Sequence, residues 1–338
     1  GFTWDLSDNV TAFGEAKYAE EETYDEGQRT FYDFNIRQLA PGTMGGISSS
    51  NVFEIGLDNA YLPSNVRLAI QNNMRQTFNA AGVVTSTVAD PRAQHKSYPT
   101  TRSQLNNRNL QRYVLGLRGD AGDVGFIKNL NWEVGYTYGE MNNENAEMGA
   151  DSIRMQAAAD AVVDTAGIVH GRPGEIVCRV QLLRAQGTPA PDVSGYSRQG
   201  AVVNDCVPVR IFGEGGFSDA ALNYINATIR VTDQNRQQDF LGFMSGELWD
   251  FWGAGPIGFA MGVESRKEST SGTGRDRDTA GRLLFLNSGP DFPAVSYETR
   301  EAFMELRVPL FQDSWLGKSG EISGAYRTAD YTTVGIQD

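Results

Sequence analysis

Around Trp132 the chain alternates strictly between apolar and polar positions. Trp132, Val134, Tyr136 and Tyr138 fall on one face of an extended strand, and Glu133, Gly135, Thr137 and Gly139 fall on the other. Over 301–310 the split recurs: Ala302, Met304, Leu306, Val308 and Leu310 face one way, Glu301, Phe303, Glu305 and Arg307 the other, with Phe303 the misfit. Weaker copies lie at 10–18, 112–118, 240–248, 258–268 and 321–331, giving about seven strands. A helix cannot satisfy this period, so the chain is committed to sheets that are dry on one face and wet on the other.

The links between the strands alternate in length. They are short at 119–130, 252–258 and 312–320, and long at 20–109, 142–236 and 269–296. Short turns on one side of a sheet and long excursions on the other form the pattern of a transmembrane antiparallel β-barrel, whose strands need roughly 9 to 11 residues to cross a bilayer. A soluble β-sandwich also alternates, but connections of this length sit poorly inside a compact sandwich. No run of eighteen apolar residues occurs, which removes helical spans and leaves barrels untouched. On the polar faces, Glu264, Arg266, Glu301, Glu305, Arg307 and Arg327 mix both signs of charge, as a wet or plugged lumen tolerates.

The long links carry helix signals. Ser64 is placed to cap a helix with Val66, Ile70, Met74 and Phe78 on one stripe, Asp151 or Ser152 to cap another running to Gly167, and Ser218 to start a third. Seven strands fall short of the even number, at least eight, of a bacterial single-chain barrel, and an open sheet leaves two unpaired edges. Either the strand count is incomplete or the chain is part of a barrel; the expectation over 1–338 is an all-β barrel apart from short loop helices.

Composition narrows the chemistry. A net charge of −13 and the lack of a basic, aromatic-interleaved groove argue against nucleic acid. Cys178 and Cys206 sit in a segment rich in Gly, Pro and Asp; in an oxidising compartment they would pair as a disulfide, and in a cytosolic one they would be unrelated thiols. His95 and His170 stand in no metal-ligand spacing, and no serine-hydrolase elbow, phosphate loop or dinucleotide turn is present. Asp276, Asp278 and Gly281 make a poor calcium loop without its closing Glu. Glu301 and Glu305 share a face, but Arg307 beside them favours mutual neutralisation over acid–base work. The reading is a non-enzyme without metal or cofactor. Loop aromatics Tyr98, Tyr196 and Phe217 are candidates for stacking on a ligand, or else for packing the loops.

At Cys206 the sequence CVPVRIFGEGGFSDAALNYI resembles the C-V-P-x-x-x-F-G-x-G segment, followed by Ser, Ala and Tyr, of TonB-dependent receptors of the Caulobacter, Sphingomonas and Xanthomonas type. A C-R pair precedes that segment in the family and the two cysteines bracket an extracellular loop; Cys178 and Arg179 stand in the corresponding place, with a longer insertion between the cysteines. LSDNVTAFGEAKY at Leu6, DNAYLP at Asp58, GAGPIGFAMGVESRKE at Gly253, ETREAFMELRVPL at Glu298 and SGAYRTADYTTVG at Ser323 match in the same order. The resemblance implies a central portion of a barrel of about 22 strands in the outer membrane of a Gram-negative bacterium, lacking the family's TonB box and plug domain. It implies a receptor and transporter that contacts outer-membrane lipid, takes up a nutrient ligand (carbohydrate, aromatic compound or iron chelate), and is energised by the TonB-ExbB-ExbD system through that plug. A passive porin, or a soluble extracellular β-rich protein, would share parts of the pattern.

Overall fold

The computed structural model describes residues 1–47, 52–88, 91–188, 200–276 and 289–337. Strands β1 (Phe2–Ser7) and β2 (Val10–Asp25) form a hairpin. The first long link then carries β3 (Tyr32–Arg37), β4 (Phe53–Gly56), α1 (Ser64–Asn72), β5 (Arg75–Phe78), β6 (Val84–Val88) and β7 (Arg92–His95). Two long strands follow, β8 (Gln104–Val124) and β9 (Ile127–Ala150). After them the second link holds α2 (Ser152–Ala159), β10 (Ala161–Asp164), β11 (Glu175–Cys178), α3 (Arg179–Ala185), α4 (Gly200–Asn204) and α5 (Asp219–Ile225). Strands β12 (Asn226–Glu247), β13 (Gly258–Gly272), β14 (Phe292–Ser314), β15 (Gly317–Tyr331) and the short β16 (Gly335–Gln337) complete the order.

The seven expected strands are β2, β8, β9, β12, β13, β14 and β15. They pair in one antiparallel meander, flanked by β1 and β16, in the order β1-β2-β8-β9-β12-β13-β14-β15-β16. This is a large antiparallel sheet; among the described residues its two edge strands do not pair with each other. The turns β1–β2, β8–β9, β12–β13 and β14–β15 lie at one end, and the three long links leave from the other. The two-residue turn at Gly125 and Phe126 needs a positive φ at its first position, and Gly125 supplies +61°.

Register sorts the side chains into two faces. The cross-strand row Val10–Gly119–Trp132–Met244–Met261–Met304–Tyr326 lies on one face with the row Ala12–Leu117–Val134–Gly242–Val263–Ala302–Thr328 above it. The intervening row, Thr11–Arg118–Glu133–Phe243–Gly262–Phe303–Arg327, points the other way. Phe303, the misfit of the alternation, thus lies on the polar face. Its ring covers Gly262, where a Cβ would stand 2.6 Å from the ring, and Phe13 lies over its cross-strand partner Gly116 in the same manner. A large ring beside a bare backbone restores the packing that glycine forfeits, so these phenylalanines need no second layer.

The long links do more than decorate the strands. The first two condense into one core in which Tyr32, Phe34, Phe53, Ile55, Met155 and Ile225 are fully buried. Burying each such side chain contributes about 1.5–3 kcal/mol. A three-stranded sheet, β4-β3-β7, packs with the hairpin β10-β11 around α2, which buries every residue except Arg154. Asp151 caps α2 by accepting a hydrogen bond from Arg154 N at 2.9 Å, and Ser218 caps α5 through Ala221 N at 3.2 Å. Three sequence expectations need correction. Helix α2 ends at Ala159, short of Gly167, because the chain turns at Asp160 into β10. Ser64 makes no capping hydrogen bond at α1, and the stripe from Val66 is not buried there. Phe78 belongs to the hairpin β5–β6 and is exposed, since that hairpin stands off the core.

Cys178 and Cys206 are joined as a disulfide with Cα atoms 6.3 Å apart and a sequence separation of 28. Closing a loop of that length stabilises by about 3.5 kcal/mol in the chain-entropy picture. Replacing both cysteines by serine is therefore expected to lower the unfolding free energy of this core by about that amount. Denaturant titration of the two forms, followed by near-UV circular dichroism, measures it; identical midpoints would contradict the expectation.

Candidate functional site: the polar sheet face and the core above it

Two of the segments that carry the sequence signature, DNAYLP at Asp58 and the Cys178–Arg179 pair, meet in the loop core. Arg179, next to Cys178, reaches 121 residues back to Asp58, the first residue of DNAYLP, with Nη1 at 3.0 Å from Oδ2. Its Nε donates to Asp160 Oδ2 at 2.9 Å. Asp160 is fully buried and also accepts from the backbone N–H groups of Gly45 (3.3 Å) and Gly56 (3.1 Å). A Cβ at Gly56 would displace the bridge, because it would meet Arg179 Nη2 and Asp58 Oδ1. Partial desolvation disfavours ionisation of Asp58, but the Arg179 guanidinium outweighs it and holds the carboxyl below its ordinary range. Burial likewise opposes the charge on Arg179, and the two carboxylates overcome it and raise its pKa. Asn59 ties the same motif to α2, donating from Nδ2 to Ala159 O at 2.8 Å.

In the segment after Cys206, Arg210 folds back on its own loop, donating to Phe212 O and Glu214 O at 2.5 Å each. Gly213 and Gly215 take positive φ, +82° and +67°, in that loop. Tyr224 donates its hydroxyl to Val202 O at 2.6 Å and lies under Arg154, 5.1 Å from the ring centroid. These contacts are structural: they hold the loops together.

The stacking aromatics fare similarly. Tyr98 is 1% exposed, packs edge-on against Tyr32 and Phe217, and donates to Asn226 Oδ1 at 2.7 Å, so it has no free face for a ligand. Phe217 packs between Tyr98 and His95. Tyr196 lies outside the described residues, as do Asp278 and Gly281. His95 is buried, with Nδ1 2.9 Å from Ile211 O, and His170 pairs with Glu175 at 3.1 Å. The loop aromatics are therefore packing residues wherever the structure describes them.

The open polar face of the large sheet is the better candidate. At the long-link end this face is covered: Asn145, Glu147, Ile229 and Val231 are buried, while Thr228, Arg230 and Thr232 of the opposite face are exposed. Glu147, 1% exposed, is held by Arg102 at 3.4 Å and Arg275 at 3.2 Å, which fastens the ends of two different links to β9. Toward the short-turn end the face carries ion pairs. Arg266 binds Glu264, and Arg327 binds Glu301. The sequence placed Arg307 beside Glu301 and Glu305; the partner that Glu301 takes is Arg327, which the register sets opposite Phe303, one diagonal step away.

Between the covered end and these pairs lies a cleft of about 570 Å³. Its floor is built from two adjacent rows of the polar face, Arg112–Gly139–Gln237–Glu268–Tyr297 and Leu110–Met141–Asn235–Thr270–Val295. Glu268 accepts from Gln237 Nε2 at 3.1 Å and from the Tyr297 hydroxyl at 2.8 Å. Arg112 is engaged by Glu15 at 3.0 Å. Sequence reasoning missed this site because its rows lie where both faces of the strands are polar and alternation fades. The chain matches no protein-family profile, no curated protein and no solved structure.

Proposed function

We propose that this chain is the barrel wall and outer-loop region of a TonB-dependent outer-membrane receptor that takes up a nutrient ligand. One observation carries the membrane reading: the apolar face of the nine-stranded sheet is uncovered. Tyr113, Leu115, Tyr136, Phe240, Met261, Val263 and Met304 are all exposed on it, and among the described residues no second layer packs there. In water such a band is costly and prone to aggregation. In lipid it is the required surface, about eight residues tall on each strand, or ~25 Å at about 3.3 Å per residue.

Aromatic rims support the same placement. Trp132, Trp249, Trp252 and Trp315 gather at the short-turn end, Trp315 at 92% exposure, and Tyr18, Tyr113, Tyr136 and Tyr138 gather at the other border of the band. Amphipathic rings at both borders suit the two membrane–water interfaces. The receptor reading adds the collinear motif resemblance, including the Asp58–Arg179 bridge between two of its segments.

Planar-bilayer recording of the full-length protein separates this from a passive porin. A plugged receptor is expected to show no steady conductance, whereas a constant open-channel current would make the protein a porin.

A further inference from the structure

Resting on that uptake reading, we infer that the cleft floored by Arg112, Gly139, Gln237, Glu268 and Tyr297 binds a neutral, hydroxyl-rich ligand with one apolar face, the chemistry of a saccharide. Charge decides between ligand classes. On the cleft's own face Arg112 is engaged by Glu15 at 3.0 Å, while Arg236, paired with Glu140 at 2.9 Å, belongs to the opposite face of the sheet. Glu268 takes its hydrogen bonds from Gln237 and Tyr297 and not from a cation. A carboxylate, phosphate or anionic metal chelate would meet the negative charge of Glu268 with no spare positive partner among the described residues.

Hydrogen-bonding capacity points the same way. Each Glu268 oxygen accepts one hydrogen bond and has a lone pair left for a ligand hydroxyl, and Asn235 and Thr270 extend the polar row below. An arene without hydroxyls would bury that carboxylate without replacing its water, which is costly. The apolar components, Leu110, Met141 and the exposed ring of Tyr297, suit the C–H face of a pyranose. At Gly139 a Cβ would meet nothing within 4 Å, so the floor is open at its centre.

The test uses the full-length receptor in detergent micelles on an array of immobilised neutral and acidic glycans. Retention on neutral glycans is expected. Glu268→Gln is expected to weaken it about 10- to 100-fold by removing a charge-assisted acceptor. Gly139→Trp is expected to abolish it while the protein keeps its heat-modifiable migration, since the new side chain fills space that the fold leaves empty. Retention on acidic glycans alone, no retention on any glycan, or binding indifferent to Gly139→Trp would overturn the inference. A protein that stays monodisperse without detergent would instead sink the uptake reading on which it rests.

Discussion

Arg179→Met is expected to destabilise the loop core by about 3–5 kcal/mol, a large share of what a domain of this kind possesses. The substitution removes the guanidinium and leaves Asp160 charged and fully buried, with only the Gly45 and Gly56 amides to solvate it. Asp58 suffers less, because it is exposed and can recover water. The double variant Arg179→Met/Asp160→Asn should regain at least half of the loss, since it no longer buries an unpaired charge. Hydrogen exchange of the α2 amides is the readout, and an unchanged protection pattern in Arg179→Met would refute the assignment. The pH dependence has a fixed sign. Asp58 has a lowered folded pKa, so its contribution is present above the unfolded value, about 3.9, and is lost as pH falls through the folded value. Protection should be flat from about pH 8 to 5 and decline only below about pH 4.

Val263→Arg is expected to cost about 2–4 kcal/mol of folding free energy in phospholipid vesicles, measured by urea titration. Val263 lies in the apolar row between Gly242 and Ala302, so the longer side chain meets little protein. It is 53% exposed, and at such a position in water an arginine changes stability by no more than about 0.5 kcal/mol. The cost therefore reports lipid and not packing. Thr137→Arg on the opposite face, beside its cross-strand partner Asp239, is the control and should be near neutral. Equal effects at the two positions would remove the sidedness on which the reading depends.

The strands were legible wherever one face is dry. Period two appears around Trp132 and Met304 because lipid-type and water-type positions alternate there, and it fades at 104–111 and 142–150, where polar side chains occupy both faces. Those extensions are held by backbone ladders and amide contacts such as Asn145 Nδ2 to Asn106 Oδ1 at 2.5 Å, which leave no hydrophobic trace. Strand β1 was overlooked although Phe2, Trp4 and Leu6 alternate with Thr3, Asp5 and Ser7; at six residues it is shorter than the span being sought. The loop core was unreadable for a different reason. Its elements are mostly four to nine residues long and gain their burial from partners a hundred residues away, as Arg179 does from Asp58. Cap residues Asp151 and Ser218 were readable because a cap is local. The cleft was not, because it exists only once five strands are in register.

The most direct measurement of the central claim is the collision accessibility of nitroxide labels placed singly at Val263 and at Glu264 in the bilayer-reconstituted full-length protein. Adjacent residues on a strand face opposite sides. The label at 263 is expected to meet oxygen dissolved in the lipid and to be shielded from a water-soluble paramagnetic complex, with the order reversed at 264. Labels that both meet the water-soluble complex, or that both lie shielded in a protein interior, would contradict a membrane-facing sheet.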